Sequence, residues 1–371
     1  MKVIHVISGL NDGGAEHVLF RLASSMNDVE HIVISLTDLG KYGPKLQEKN
    51  IKVKILNMPR GWVTLKGLWL LYSILKKEEP DVVQTWMYHA DLLGGLFARL
   101  AGCKKIYWGL RHSNLTKEVN SKSTLLVVRL CAFLSSILPT KIISCAERSV
   151  KIHQDFGYNG DFLVVPNGFD THLFSPNKVL RDSTREALNT SNKITLGFVA
   201  RWDPQKDHKN LLKAIKLVKN RYPDIFCVLI GQDCDDENQI LSSLIDKLDI
   251  KENIILLGRR TDIPGIMNAL DLHVLSSVGE AFPSVVAEAM ASGTPCIVTD
   301  VGDAGMIVGD TGWVVPIGNS EKLADTINLA INEMGDPEIW QDRKEKCSNR
   351  VLEQFSLDKM IQSYKAIWLE K

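Results

Sequence analysis

No stretch of this 371-residue sequence reaches the roughly 18–20 uninterrupted apolar residues of a membrane-spanning helix. The nearest, residues 124–138, carries Arg129 in its middle, so no membrane crossing is expected. A disulfide framework is also missing: the seven cysteines are scattered, with no C-x-x-C pair and no zinc spacing. Cys103, Cys131, Cys145, Cys227 and Cys296 lie in apolar surroundings and read as buried, reduced thiols, which favours the cytoplasm. There is no internal repeat, no low-complexity segment and no G-x-G-x-x-G dinucleotide fingerprint. No His/Cys cluster suits a metal. Asp233-Cys234-Asp235 is formally a D-x-D, but it runs on into Asp236-Glu237-Asn238 as a solvated polar loop, so no metal is expected. The apolar run at Met1–Ile7 is too short for a signal core and reads as a first strand.

Net charge is zero overall, 44 basic against 44 acidic residues. The balance is local. Residues 1–170 hold 21 Lys+Arg and 15 Asp+Glu, a surplus of six. Segment 99–151 is the most basic, with Arg99, Lys104, Lys105, Arg111, Lys117, Lys122, Arg129, Lys141, Arg148 and Lys151 against Glu118 and Glu147. Tyr107, Trp108 and Phe133 are interleaved. Such a segment predicts attraction to anionic lipid, at about 1 kcal/mol per basic residue near the bilayer. No nucleic-acid motif accompanies the charge.

Strand and helix signals alternate along the chain. Strands are predicted at 3–10, 32–36, 53–56, 81–84, 106–109, 142–144 and 162–165, with helices at 15–26, 65–75, 89–100, 125–138 and 146–156 between them. Pro166-Asn167-Gly168-Phe169-Asp170 breaks the pattern, and a polar stretch runs to about Asn192. Alternation restarts with strands at 194–199, 225–230, 254–257, 272–276 and 296–299, and helices at 210–221, 239–248, 263–269 and 284–291. A last helix, 357–369, follows Ser356 as N-cap. This predicts an α/β chain of two Rossmann-like parallel-sheet domains. Ligands bind at the carboxyl ends of parallel strands, so a cleft between two such domains is the expected site.

Several positions carry chemistry. Glu280 and Glu288 flank Pro283-Ser284, which reads as a helix start. Backbone N–H groups there suit an anion. Two carboxylates beside an anion site suit a ligand with both phosphates and hydroxyls, such as a nucleotide-sugar. Arg201 and Lys206 follow a parallel strand, and a guanidinium with an ammonium suits a diphosphate. A solvated basic loop is the plainer reading. Gly13-Gly14 opens a helix after the first strand, either as a tight turn or for close approach of a phosphate. His112 follows a first-domain strand, where it is either a structural hydrogen-bonder or a contact to a sugar hydroxyl. Arg259, in Gly258-Arg259-Arg260, frames a nucleotide base or a plain loop. Lys54 and Asp91 read as solvated charges.

Together these residues resemble the retaining glycosyltransferases of family four, which have the GT-B fold. The resemblance spans nearly the whole chain. It rests on Asp12-Gly13-Gly14-Ala15-Glu16, Arg111-His112-Ser113, Pro166–Asp170, Arg201 with Lys206, Gly258-Arg259 with Asp262, Glu280 with Glu288, Val301-Gly302-Asp303 and Thr311–Pro316. It implies an acceptor-binding domain at 1–168, completed by the C-terminal helix 356–371 crossing back, and a nucleotide-sugar-binding domain at 169–355.

The implied roles are these. Gly14 allows backbone approach to donor phosphate or acceptor, and Arg201 and Lys206 hold the diphosphate. Glu288 takes the ribose hydroxyls and Glu280 those of the transferred sugar. Backbone at Ala281, Phe282, Pro283 and Ser284 shapes the sugar pocket, Arg259 lies by the donor, and His112 stands near the anomeric centre. Configuration is retained by front-face attack, the leaving diphosphate taking the acceptor proton, with no cofactor. Ala281 stands where glycine is common, Met306 where an acid is frequent, and Trp202 where a smaller aliphatic residue is usual. With the basic segment, the resemblance implies a peripheral enzyme on the inner membrane face. Its acceptor would be a lipid-linked glycan of O-antigen, capsule or exopolysaccharide assembly. A soluble sugar-phosphate or glucan acceptor, a nucleotide-sugar epimerase and a non-catalytic nucleotide-binding module are the competing readings.

Overall fold

The computed structural model describes residues 1–116 and 120–370. Lys117 and Glu118 of the basic segment lie outside the described residues. The chain divides into two compact units, Met1–Gly168 with Leu357–Lys371, and Phe169–Ser356.

In the first unit, β1 (Lys2–Ile7), α1 (Gly14–Ser25), β2 (Glu30–Ser35), α2 (Tyr42–Glu48), β3 (Lys52–Ile55), α3 (Leu65–Glu78) and β4 (Val82–Trp86) alternate. They continue as α4 (Tyr88–Ala101), β5 (Lys105–Leu110), α5 (Lys122–Leu134), β6 (Lys141–Ser144), α6 (Glu147–Phe156) and β7 (Phe162–Val164). The seven-stranded sheet has the order β3-β2-β1-β4-β5-β6-β7, with every pair parallel. Order reverses between β1 and β4. Each of α3, α4 and α5 runs back against its preceding strand, so their N-termini share the carboxyl rim of the sheet.

The second unit runs α7 (Lys178–Ala187), β8 (Thr195–Val199), α8 (His208–Lys219), β9 (Phe226–Ile230), α9 (Gln239–Lys247), β10 (Ile254–Leu256), α10 (Ile263–Ala269) and β11 (Leu272–Leu275). Then come α11 (Ser284–Ala291), β12 (Cys296–Thr299), α12 (Ala304–Val308), β13 (Trp313–Val315), α13 (Ser320–Met334) and α14 (Pro337–Phe355). Its six-stranded sheet has the order β10-β9-β8-β11-β12-β13, again parallel. Both sheets are covered by helices on their two faces, which is why β4 and β12 are buried along their length.

The final helix, α15 (Leu357–Leu369), belongs to the first unit. Trp368 is fully buried and donates from Nε1 to Gln84 Oε1 at 3.3 Å. Lys105 Nζ and Tyr107 Oη donate to the carbonyls of Trp368 and Ile367 at 3.0 and 2.9 Å. These contacts give the helix carbonyls at its C-terminus the partners they would otherwise lack.

Three readings of single residues are corrected. Asp91 is not solvated: it is fully buried on α4, accepting from Thr85 Oγ1 and from Gly109 N at 3.2 Å. Burial raises its carboxyl to about 7, against the pull of those two bonds. Tyr107 and Trp108 are core residues, not surface aromatics, because β5 is a central strand packed on both faces. The raised Asp91 group binds its proton more tightly folded than unfolded. Its contribution therefore favours folding below the ordinary carboxylate range and is lost as pH rises toward 7. The stability gained by Asp91→Asn over the parent should consequently be larger at pH 8 than at pH 5 in urea titrations. An equal difference at both values would show that Asp91 is not the titrating group.

Candidate active site

In the second unit the strand order reverses between β8 and β11. The crevice beyond the carboxyl ends of two such strands is the usual ligand position in an open α/β sheet. The loops leaving β8 and β11 carry Arg201, Lys206 and Glu280, and they are stitched together. Val278 N donates to Gln205 O at 2.8 Å, and Ser276 Oγ to Lys206 O at 3.0 Å. Asp203 caps a single 3₁₀ turn, Pro204–Lys206, by accepting from Gln205 N at 2.9 Å. Asp207 then sits at φ +45° and caps α8.

This turn aims Lys206 at Glu280. Its Nζ lies 2.5 Å from Glu280 Oε1, which also accepts from Ser277 Oγ at 2.8 Å. Both side chains are largely shielded. Arg201 forks onto Asp203 Oδ2 through Nε and an Nη at 3.1 and 3.0 Å and stays 63 % exposed. Glu280 precedes α11, which opens after Pro283 with no side-chain cap, and Glu288 lies nearly buried one turn inside. The Phe282 side chain is buried between Phe169 and Phe355, ring centroids 6.1 and 5.8 Å away, so only its backbone faces the loop.

Gly302 explains its motif. It has φ +50°, and a Cβ there would stand 2.4 Å from Ala281 O and 2.6 Å from Glu280 O. With Asp303 N donating to Ala281 O at 2.9 Å, the loop after β12 holds the Glu280–Ala281 turn from behind. Arg259 is exposed on the loop after β10, two strands away from the switch point. Asp233 and Asp235 gather no metal-binding group with other residues among those described.

In the first unit, Gly14 begins α1, and a Cβ on it would meet nothing within 4 Å. His112 follows β5 one residue after Arg111. Its Nδ1 accepts from Asn114 N at 3.1 Å, which places the ring hydrogen on Nε2. Burial lowers its basicity, so the neutral ring presents a donor. Arg111 is a hub. It donates to Asn167 Oδ1 at 2.7 Å and to Tyr364 Oη, and its guanidinium lies 4.7 Å from the Trp86 ring centre. The Arg-His-Ser run, the Pro-Asn-Gly run and the last helix are thus joined at one point. Four residues were not singled out from the sequence: Asp203, Ser277, Gly302 as a steric requirement, and Tyr364. Only Asp203-Pro204 carried a readable signal, a cap followed by proline.

Two parallel-sheet α/β units are the architecture of the GT-B class of sugar transferase. The "Glycosyltransferase Family 4" model matches residues 12–173, and the "Glycosyl transferases group 1" model matches residues 181–347. The chain is a glycosyltransferase of this family. It is 26% identical over 313 residues to the UDP-Gal:alpha-D-GlcNAc-diphosphoundecaprenol alpha-1,3-galactosyltransferase of Escherichia coli, covering 82% of this chain and 79% of that one. Identity to the putative glycosyltransferase EpsF of Bacillus subtilis strain 168 is 27%, over 81% and 79% of the two chains. The fold matches the crystal structure of Anabaena Alr3699/HepE in complex with UDP, with a TM-score of 0.86, 24% identity and 99% of each chain covered.

Proposed function

We propose that this glycosyltransferase moves a sugar, with retention of configuration, from a nucleotide-diphosphate donor to a lipid-linked glycan acceptor. The observation that carries the donor side is the Lys206–Glu280–Ser277 cluster at the β8/β11 switch, one loop from the N-terminus of α11. An ammonium has three donors, so Lys206 can keep Glu280 and still reach a diphosphate oxygen. Arg201, steered by Asp203, offers a second cation. Glu280, oriented by two donors, accepts from hydroxyls of the transferred sugar. Glu288 accepts from the ribose, and Arg259 flanks the donor. Backbone at Ala281, Phe282, Pro283 and Ser284 lines the sugar.

The anomeric carbon loses its bond to the diphosphate oxygen and gains one to the acceptor oxygen on the same face. The acceptor proton passes to the departing diphosphate. Lys206, Arg201 and the α11 amides stabilise the charge that builds there. His112, neutral and donating from Nε2, contacts a sugar hydroxyl beside the reacting carbon rather than serving as a base. Gly14 leaves room for phosphate or acceptor. These residues offer no metal cage, and turnover is assigned to the protein cations alone.

The acceptor reading draws support from the Escherichia coli relative, whose name specifies a diphosphoundecaprenol-linked sugar. Assembly of a surface polysaccharide, on the cytoplasmic side of the membrane, follows as the setting. A thermal-shift screen of nucleotide-diphosphate sugars tests the donor side: at about 100 times its Kd a true donor stabilises by about 2.7 kcal/mol. Transfer to a diphospholipid-linked sugar should then proceed in EDTA. No stabilisation by any donor would sink the reading, and activity abolished by EDTA and restored by Mg²⁺ would overturn the metal-free assignment.

A further inference from the structure

The membrane reading began from basic residues 99–151, but much of that charge is occupied. Arg99 donates to Leu138 O at 2.7 Å, Lys105 to Trp368 O at 3.0 Å, Lys141 pairs with Glu370 at 2.5 Å, and Arg111 is the internal hub. Exposed apolar surface also lies outside that segment. Trp62 and Val63, in the connection from β3 to α3, are 75% and 53% exposed. Leu65 and Trp69, one turn apart on α3, are 86% and 67% exposed. The inner face of α3 is satisfied by Gly67, Leu71 and Leu75, so these large side chains serve no internal packing.

Two neighbours extend the face: α3 packs on α4 and α4 on α5. On α5, Leu126, Leu130 and Phe133 recur every three to four residues as an exposed stripe, and Ile137 in the turn after it is exposed too. The charge around these side chains has one sign. α5 has no carboxylate, the one on α4 is the buried Asp91, and the one on α3, Glu78, is bonded to Lys2. Arg60, Lys66, Lys122 and Arg129 are exposed among them. Exposed tryptophans with lysines and arginines, and no exposed acid on these three helices among the described residues, match the boundary between headgroups and acyl chains of an anionic bilayer. A partner protein surface would meet a polar rim of both signs.

We propose that Trp62, Leu65 and Trp69 seat in that boundary, with Lys66 and Arg60 on the anionic headgroups. The position gives the contact its purpose. The β3–α3 connection lies on the carboxyl rim of the first sheet, the rim that also carries Gly14 and His112. Seating this rim on the bilayer brings a lipid-borne sugar to the acceptor side of the site. The inference rests on the lipid-linked acceptor reading above.

The test is sedimentation with vesicles of phosphatidylethanolamine and phosphatidylglycerol, comparing the full chain with a Trp62→Ser/Trp69→Ser variant. The exposed positions predict an unchanged melting temperature and vesicle affinity weaker by on the order of 10²-fold. Quenching of tryptophan fluorescence by brominated acyl chains should fall in the variant. Its activity on a short-chain, water-soluble acceptor analogue should match the parent. Equal sedimentation of parent and variant overturns this assignment, as does a dimer of the parent that the variant loses, which would give the face to a second copy. If the parent binds vesicles through these tryptophans yet transfers sugar only to soluble acceptors, the acceptor reading fails and the docking surface stands.

Discussion

Replacing Lys206 by alanine is expected to lower kcat by about 10²–10³-fold, the cost of one preorganised donor lost from developing negative charge. The magnitude follows from surroundings. Its side chain is 22% exposed and fixed on Glu280, so its charge acts in a partly dry site without reorganising. Arg201 is a useful contrast. It is more exposed and shares its charge with Asp203, so Arg201→Ala should cost only several-fold to tens-fold. Steady-state kinetics with a saturating donor distinguishes the two. Should Lys206→Ala retain full kcat, the ammonium is not stabilising the leaving group, and the Lys206–Glu280 pair is a structural brace.

The largest effect on stability is expected at Trp368. Its indole is fully buried and bonded to Gln84, with rings of His5, His31 and Tyr364 centred 5.9, 6.2 and 5.4 Å away. Trp368→Ala should therefore destabilise the first unit by about 3–5 kcal/mol. Amide exchange should rise across β1, β4 and α15 while the second unit stays protected. Uniform exchange through both units would show that they do not unfold separately. Tyr364→Phe removes only the hydroxyl that receives Arg111. It is a milder probe of the same helix and reaches the His112 loop without emptying the core.

Every strand but β13 was legible because a parallel sheet covered on both faces reads as short apolar runs with turn residues between them. Of the helices that escaped, α13 buries Leu323, Ile327 and Ile331 in helical register and was legible but unread, whereas three others bury little that apolar periodicity shows. α7 is anchored by Arg185, buried and donating to Ala269 O at 2.9 Å and Asp271 Oδ2 at 3.1 Å, so its sequence looks solvated. α14 buries only Cys347, Val351 and Phe355, a narrow stripe in nineteen residues. α2 contains Gly43 and Pro44, which read as a break. Asp91 was misjudged for a related reason: nothing local tells a helix acid facing water from one facing Thr85 and the Gly109 amide. At the candidate site, residue types pointed to Arg201, Lys206, Glu280 and Glu288. Their pairing could not be read, because it depends on which strands are neighbours, and 72 residues lie between Val199 at the end of β8 and Leu272 at the start of β11.

The return of α15 also bears on the order in which the protein can be made. A ribosome releases the first unit's seven strands early, yet Tyr364 and Trp368, which cover Trp86 and His5, are made only after the whole of the second unit. The second unit, uninterrupted from Phe169 to Ser356, can close before α15 is made. The first cannot finish until α15 emerges, so until then its β1–β4 face is an open apolar surface that must be kept from aggregating.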